Sequence, residues 1–163
     1  MAGASIKTST AGSAGQLDQY LTFLLADELF AIPILSVQEI RGWEKVSRVP
    51  RGPSHVLGVI NLRGAVVPVL DVRARLGMAP RDVTPTTVVI VVRIGDAPNA
   101  PTVGCVVDAV SDVANIASDA VRPAPDVCGT IDHHFISGVS TIDERLVMLI
   151  ELGRLIDASS IAA

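Results

Sequence analysis

A weak internal repeat constrains the fold of this chain more than any other sequence feature. When residues 58–76 are placed over residues 138–156, a shift of 80 positions, the pattern of apolar and polar positions largely agrees. A second overlay, with a shift of 73, places residues 31–40 on residues 104–113 with similar agreement. Because the two matches occur in the same order along the chain, we interpret them as two similar units of about five strands each.

The local pattern of both units is that of short β-strands. Residues 20–25, 29–32 and 86–94 are rich in apolar and β-branched residues, which is typical of strands. Proline-rich connectors at 49–53 and 121–125 separate these runs. The sequence therefore predicts a mainly β protein with a few short helices. Two small closed barrels sharing one core are expected, because closure removes exposed strand edges.

Two short helices and one long strand complete the local predictions. Ser54 can cap a helix over residues 54–57. Asp71 can cap a second helix over residues 72–76, which Gly77 would end in a left-handed conformation. Residues 102–113 read as a strand that continues without interruption.

The domain organisation predicted from these elements is a single domain with two tails. Residues 1–18 and 158–163 are expected to be flexible tails. Residues 19–157 are expected to form the domain, with approximate barrel units at 19–80 and 85–157. This division leaves open that a strand is exchanged between the two units.

Composition and charge exclude several classes of function. The 163 residues carry a net charge of −4 and only 3% aromatic residues, so neither a basic face nor a stacking platform for nucleic acid is present. The sequence contains no signal peptide and no apolar run of the roughly 18 residues that a membrane span needs. A cytoplasmic protein is therefore expected. Cys105 and Cys128 lie far apart and lack the paired spacing of a zinc site.

The strongest indication of an enzyme is the triplet Asp132, His133 and His134. A class of metal-dependent phosphoesterases holds metal ions with such a triplet, but those sites need further carboxylates that we do not find here. We interpret the triplet as a polar loop and keep the phosphoesterase as the enzymatic alternative. Asp108 and Asp112 are interpreted as a solvated strand edge. No cofactor and no bound metal is predicted.

Glu39 and Arg63 each interrupt an apolar stretch of the repeat. In the overlays Asp112 falls on Glu39 and Asp143 falls on Arg63, so the charges are not repeated between the two units. Two interpretations remain open. The two residues could be exposed charges at strand ends, or they could form an ion pair at the rim of a groove between the barrels.

Four ordered segments closely resemble the CheW coupling proteins of bacterial chemotaxis, and the likeness extends over residues 20–156. They are VQEIRG from Val37, GVINLRGAVVPVLDVR from Gly58, VVDAVSDV from Val106 and VRPAP from Val121. The resemblance implies two intertwined SH3-like five-stranded barrels without catalysis. The N-terminal tail and the longer, proline-rich loop at 95–101 depart from the family pattern.

The resemblance also implies the partners. CheW proteins connect the cytoplasmic tip of methyl-accepting chemoreceptors to the regulatory domain of the histidine kinase CheA, without nucleic acid and without inserting into the membrane. We expect the chain to be monomeric alone and to be recruited with these partners into membrane receptor arrays. The positions expected to contact partners are Val37, Glu39, Gly58, Leu62, Arg63, Val88, Val89 and Val113.

A physical picture of recognition follows from these positions. A receptor helix could lay an apolar stripe in the groove between the barrels, with Val37 and Val113 as its floor. Glu39 and Arg63 would orient the helix and exclude wrong partners. Two non-enzymatic alternatives remain. They are a coupling protein of another chemosensory pathway, for motility or a second messenger, and a self-assembling structural β protein.

Overall fold

The fold consists of ten short strands, two short α-helices and three single-turn 3-10 helices in the part of the chain that the computed structural model describes. That part comprises residues 17–44, 46–47, 55–95, 98–124, 131 and 133–156. The strands are β1 Leu17–Leu25, β2 Glu28–Pro33, β3 Val37–Gly42, β4 Val56–Leu62, β5 Ala65–Asp71, β6 Val88–Arg93, β7 Thr102–Val107, β8 Ala109–Ala117, β9 Ile136–Ile142 and β10 Arg145–Ile150. The helices are α1 Val72–Leu76 and α2 Leu152–Leu155. The described helices are all too short to cross a bilayer.

The ten strands form two five-stranded sheets, as predicted, and exchange strands between the two halves of the chain. One sheet has the order β8-β1-β2-β10-β9 and the other β3-β6-β7-β5-β4. Neighbouring strands are antiparallel except for β2 with β10 and β5 with β7, which are parallel. Each sheet takes the first two strands of one half and the last three strands of the other. The halves 19–80 and 85–157 are therefore sequence repeats that do not coincide with the sheets.

An isolated bridge closes each sheet into a barrel. After β8 the chain returns to β9, where Arg122 and Val139 exchange two backbone hydrogen bonds of 2.8 Å. After β3 it returns to β4, where Ser47 and Val59 exchange backbone hydrogen bonds of 3.0 and 2.8 Å. We call the barrel that contains β1 the first barrel and the one that contains β3 the second barrel.

Three apolar clusters fill this architecture, and β6 shows how they are related. Val89 and Val91 point into the interior of the second barrel, whereas Ile90 and Val92 join the core shared by both barrels. Both faces of β6 are buried, which explains its continuous apolar sequence. In β2, Phe30 belongs to the shared core while Leu29 belongs to the interior of the first barrel. The predicted mainly β fold with a shared core is confirmed.

The two helices are joined across this core by Arg75 of α1. Its Nε donates to the carbonyl oxygen of Leu155 in α2 at 2.9 Å. Its guanidinium carbon lies 4.6 Å from the centroid of the Phe135 ring, the distance of a cation–π contact. The ends of the two sequence repeats are therefore held against each other.

Several local predictions are tested by the structure. The Asp71 cap is confirmed, because its Oδ1 accepts a hydrogen bond from Arg73 N at 3.1 Å, and Gly77 has a φ of 82°. The predicted helix over 54–57 is wrong for its described part, since Val56 begins β4, while residue 54 lies outside the described residues. Residues 17–18, expected in the tail, belong to β1, and residues 1–16 and 157–163 lie outside the described part.

The predicted continuous strand over 102–113 is also wrong. β7 ends at Val107 in the second barrel, and β8 begins at Ala109 in the first barrel. Asp108 is the single residue between them. Apolar residues both precede and follow Asp108, so the hydrophobic pattern does not indicate that the chain passes from one barrel to the other at this point.

Candidate partner-binding site

The Arg63–Gly64 pair is the tight turn between β4 and β5. Both residues have positive φ, 51° and 86°, as in the type I′ turn that suits a two-residue hairpin. Asn61 Oδ1 accepts a hydrogen bond from Gly64 N at 2.9 Å and holds the turn in place. The turn projects Arg63 from one end of the second barrel, with 74% of its side chain exposed.

Arg63 forms an ion pair with Glu39 of β3. Its NH2 group donates to Glu39 Oε2, and Arg41 NH1 donates to Glu39 Oε1 at 3.3 Å. Arg41 also contacts Glu44 Oε2 at 3.2 Å, so four charges alternate in sign along this edge. The hydrogen bond from Arg63, more than any other contact, lowers the pKa of the Glu39 carboxyl. The structure shows the ion pair that one of the two interpretations predicted. Its predicted position at the rim of a groove between the barrels is wrong, because the surrounding residues all belong to the second barrel.

The ion pair borders a cavity of about 370 Å³ in the end of the second barrel. Leu62, Ala65 and Val67 supply apolar surface to this cavity, which the fully buried Val91 also borders. Glu39 and Arg63 supply the charges. Glu39 is half-buried because the side chains of β3 alternate between the barrel and solvent. The arrangement combines a small apolar depression with a fixed pair of opposite charges at its edge.

Five of the eight predicted contact residues lie away from this cavity. Val37 and Val88 are half-buried and pack against the shared core. Val89 is fully buried inside the second barrel, and Gly58 is buried at a bulge in β4. Neither Val89 nor Gly58 can touch a partner directly in this conformation. The structure brings together only Glu39, Leu62 and Arg63 among the predicted residues.

Val113, the fifth of these residues, lies on the first barrel, 45% exposed. It lines a separate cavity of about 470 Å³ together with Asp112 and Asp143, the counterparts of Glu39 and Arg63 in the repeat. Val37 and Val113, predicted to form the floor of one groove, therefore lie on different barrels. The equivalent ends of the two barrels differ in charge, because Asp143 stands at the turn position of Arg63, although Arg145 also lines the cavity of the first barrel.

One ion-pair cluster was missed by the sequence analysis. Arg73 of α1 donates to Asp108 from Nε at 2.9 Å and from NH2 at 2.5 Å, and the two side chains are only 9% and 18% exposed. Arg81 NH1 and Ala26 N donate to the same carboxylate at 3.0 and 2.9 Å. Burial opposes ionisation of Asp108, but hydrogen bonds from Arg73 and Ala26 outweigh it, so the pKa of Asp108 lies below its ordinary value.

The interpretation of Asp108 as part of a solvated strand edge is therefore wrong. Arg73 and Asp108 are 35 positions apart and come from different halves of the chain, so no local motif connects them. The only signal in the sequence was that Asp108 interrupts an otherwise apolar run.

The described residues contain no group of three or more His, Cys, Asp or Glu side chains that could hold a metal ion. Asp132 and the side chain of His133 lie outside the described residues, and the His134 ring packs edge-on against Phe135 at 5.2 Å between centroids. Burial raises the pKa of the Cys105 thiol to about 12, which makes it an unreactive part of the core. Cys128 also lies outside the described residues.

Comparison with known proteins identifies the family. The model of the CheW-like domain matches residues 19–160. The probable chemotaxis protein CheW of Rhizobium etli is 41% identical over 134 residues, which cover 82% of this chain and 84% of the relative. The chemotaxis protein CheW of Klebsiella aerogenes is 36% identical over 163 residues, covering 99% of this chain and 95% of the relative.

A solved structure agrees with this assignment. The crystal structure of the scaffolding protein TtCheW from Thermoanaerobacter tengcongensis superposes with a TM-score of 0.79 at 30% identity, covering 89% of this chain and 96% of that chain. The predicted family is confirmed. The chain belongs to the CheW family of chemotaxis proteins, whose members are non-catalytic scaffolds.

Proposed function

We propose that this chain is an adaptor that couples methyl-accepting chemoreceptors to the histidine kinase CheA. The family supports a scaffold in chemotaxis, and the observation that carries the proposal further is the Glu39–Arg63 ion pair beside an apolar cavity. We place its action in the cytoplasm, where it would join membrane receptor arrays through its partners.

The receptor is proposed to bind at this end of the second barrel. A helix can place an apolar side chain in the depression lined by Leu62 and Ala65. The guanidinium of Arg63 is exposed and donates to a fixed carboxylate, so a partner must match both charges in position. A helix with the wrong charge pattern would leave one of them unpaired. The ion pair then determines orientation and specificity, while the apolar contact supplies affinity.

The kinase is proposed to bind through apolar residues near the barrel ends. Val66 on β5 is 70% exposed, and Leu146, its counterpart 80 positions later on β10, is 50% exposed. The resemblance implies that the regulatory domain of CheA has the same double barrel. Equivalent patches on the two proteins could then alternate in heterologous contacts, which close into rings or extend into arrays.

The receptor assignment is tested with Arg63→Ala and a matched control, Asp143→Ala. The two residues occupy equivalent positions in the two hairpin turns, both with positive φ. We expect Arg63→Ala to weaken binding of a receptor-tip fragment by about tenfold or more, as for a charged hot spot, and Asp143→Ala to have little effect. Calorimetric titration of both variants with the fragment measures the difference.

The same titrations also distinguish failure of the adaptor proposal from failure of the receptor-site assignment. If the unmodified chain does not bind the receptor fragment at all, the adaptor proposal is wrong. If it binds and Arg63→Ala binds equally well, only the location of the receptor site is wrong. Melting temperatures within a few degrees of the unmodified chain would show that both variants remain folded.

A further inference from the structure

The second barrel contains another cavity, also of about 370 Å³ and distinct from the one beside Arg63. It lies beside the segment 78–87 that links the two halves of the chain. Trp43 forms part of its apolar lining, and the exposed residues 81–83 line it as well. Asp71 at the end of β5 lines this cavity, whereas Arg63 lies in the turn that leads into β5. The cavity is therefore at the barrel end opposite the proposed receptor site.

Hydrogen bonds hold both ends of the linking segment. At its start, Met78 N donates to Arg73 O and Arg73 NH1 donates to Ala79 O, each at 2.8 Å. At its end, Thr84 N donates to Thr87 Oγ1 and Thr86 Oγ1 donates to Asp108 O, each at 2.9 Å. These contacts leave residues 80–83, which we call the strap, between two anchored points.

The strap itself is held by one ion pair. Within the described part of the chain, the bond from Arg81 NH1 to Asp108 Oδ2 at 3.0 Å is the only side-chain polar contact of the strap. All four strap residues are exposed, and Val83 on the cavity wall is 49% exposed. Packing therefore contributes little to holding the strap. The charge on Arg81 is the main element that keeps it against the barrel.

The other side of this ion pair is rigid. Asp108 is fixed by Arg73 and by Ala26 N, independently of Arg81. Loss of the Arg81 contact would therefore release the strap without releasing the carboxylate. Since the Arg81 side chain is 48% exposed, its ion pair is accessible to solvent ions and is weakened by salt.

We propose that the strap is a lid over this cavity, latched by the ion pair between Arg81 and Asp108. When the latch is broken, residues 81–83 move away from the barrel and expose the apolar lining that contains Trp43. The device is independent of the adaptor proposal, because it involves the opposite end of the barrel.

Arg81→Gln tests the latch, with two measurements on the full chain. Hydrogen exchange of the Thr84 amide, which directly follows the strap and donates to Thr87 Oγ1 at 2.9 Å, should become about two- to fivefold faster, the factor expected for losing one partly exposed ion pair. Acrylamide quenching of Trp43, the single tryptophan of the chain, should become more efficient because the indole is uncovered. Arg81→Lys keeps the charge and should restore most of the protection.

The effect of salt on the exchange rates distinguishes a strap held by charge from a strap held by packing. In about 1 M NaCl, where the Debye length is about 3 Å, the unmodified chain should approach the exchange rates of Arg81→Gln. Arg81→Gln itself should respond much less to salt.

Asp82→Asn is the matched control, because it removes a charge from the same strap and leaves the ion pair intact. Unchanged exchange and quenching in Arg81→Gln would overturn the proposal. An effect of Asp82→Asn equal to that of Arg81→Gln would also overturn it, as would protection that does not respond to salt.

Discussion

At the scale of single residues, the side chain of Asp108 connects three separate parts of the molecule. Its carboxylate contacts α1 through Arg73, the strap through Arg81 and the β1–β2 turn through Ala26. Its backbone N donates to Leu24 O at 3.1 Å, next to the same turn. A single carboxylate therefore fixes the crossover between the barrels. At a solvated strand edge, where the sequence analysis placed it, the same carboxylate would contribute little to stability.

We expect Asp108→Asn to lower the free energy of unfolding at pH 7 by about 3 kcal/mol, because it leaves the guanidinium of Arg73 buried without a counter-charge. Urea denaturation followed by circular dichroism measures the loss. Asp112→Asn, on the exposed part of β8, is the control and should cost much less. A loss for Asp108→Asn no larger than for this control would contradict the assignment.

The stability lost in Asp108→Asn should also depend on pH. The pKa of Asp108 in the folded chain lies below the ordinary value of 3.8, so its charge stabilises the fold above that pH. This contribution disappears as the pH falls below 3.8 and through the folded pKa. The difference in stability between the unmodified chain and Asp108→Asn should therefore narrow towards pH 3. A constant difference between pH 7 and pH 3 would show that the charge is not responsible.

At the scale of secondary-structure elements, closure of the barrels depends on close backbone approach. A Cβ added at Gly138 of β9 would lie 2.9 Å from the backbone oxygen of Arg122 and 2.6 Å from Val121 Cγ1. Arg122 is the residue that closes the first barrel by pairing with Val139. A glycine is therefore required where the returning segment crosses β9.

Gly138→Ala should destabilise the chain by about 2–3 kcal/mol, because the clashing atom belongs to the backbone and cannot rotate away. Gly42→Ala is the matched control, also in a strand, and its added Cβ would meet no atom within 4 Å. Thermal unfolding of the two variants should show a clear fall in melting temperature only for Gly138→Ala. Similar melting temperatures would mean that the closing segment can shift at little cost.

At the scale of the whole molecule, reciprocal strand exchange makes the two barrels depend on each other. β1 and β2 belong to the first half but pair with β8 and β10 of the second half. The shared core also takes side chains from both sheets. Neither half of the chain contains all the strands of one barrel.

We therefore expect a single cooperative unfolding transition. Fluorescence of Trp43 reports on the second barrel, and far-ultraviolet circular dichroism reports on both. The two transitions should coincide in temperature and denaturant concentration, as for a two-state domain. Separate transitions would show that the barrels unfold independently. A folded fragment limited to residues 17–80 would show that the first half of the chain folds without the second.

Much of this architecture is contained in the sequence. The short β-branched runs, the proline-rich connectors and the two overlays predicted a mainly β chain of two similar units, and the Asp71 cap lies in a short local motif. Local motifs can be recognised in a sequence because each depends on the conformation of a few adjacent residues. Glu39 and Arg63 were identified for a similar reason, as charges inside apolar runs.

The exchange of strands was decided only in three dimensions. A strand shows the same apolar alternation whether it pairs within its own half or with the other half, so the pattern cannot distinguish the two. Val88 and Val89 illustrate the same limit, because β6 is apolar on both faces and neighbouring valines differ only in which core they enter. Arg73 and Asp108 likewise meet only because the crossover places them together, and a pair 35 positions apart has no local signature.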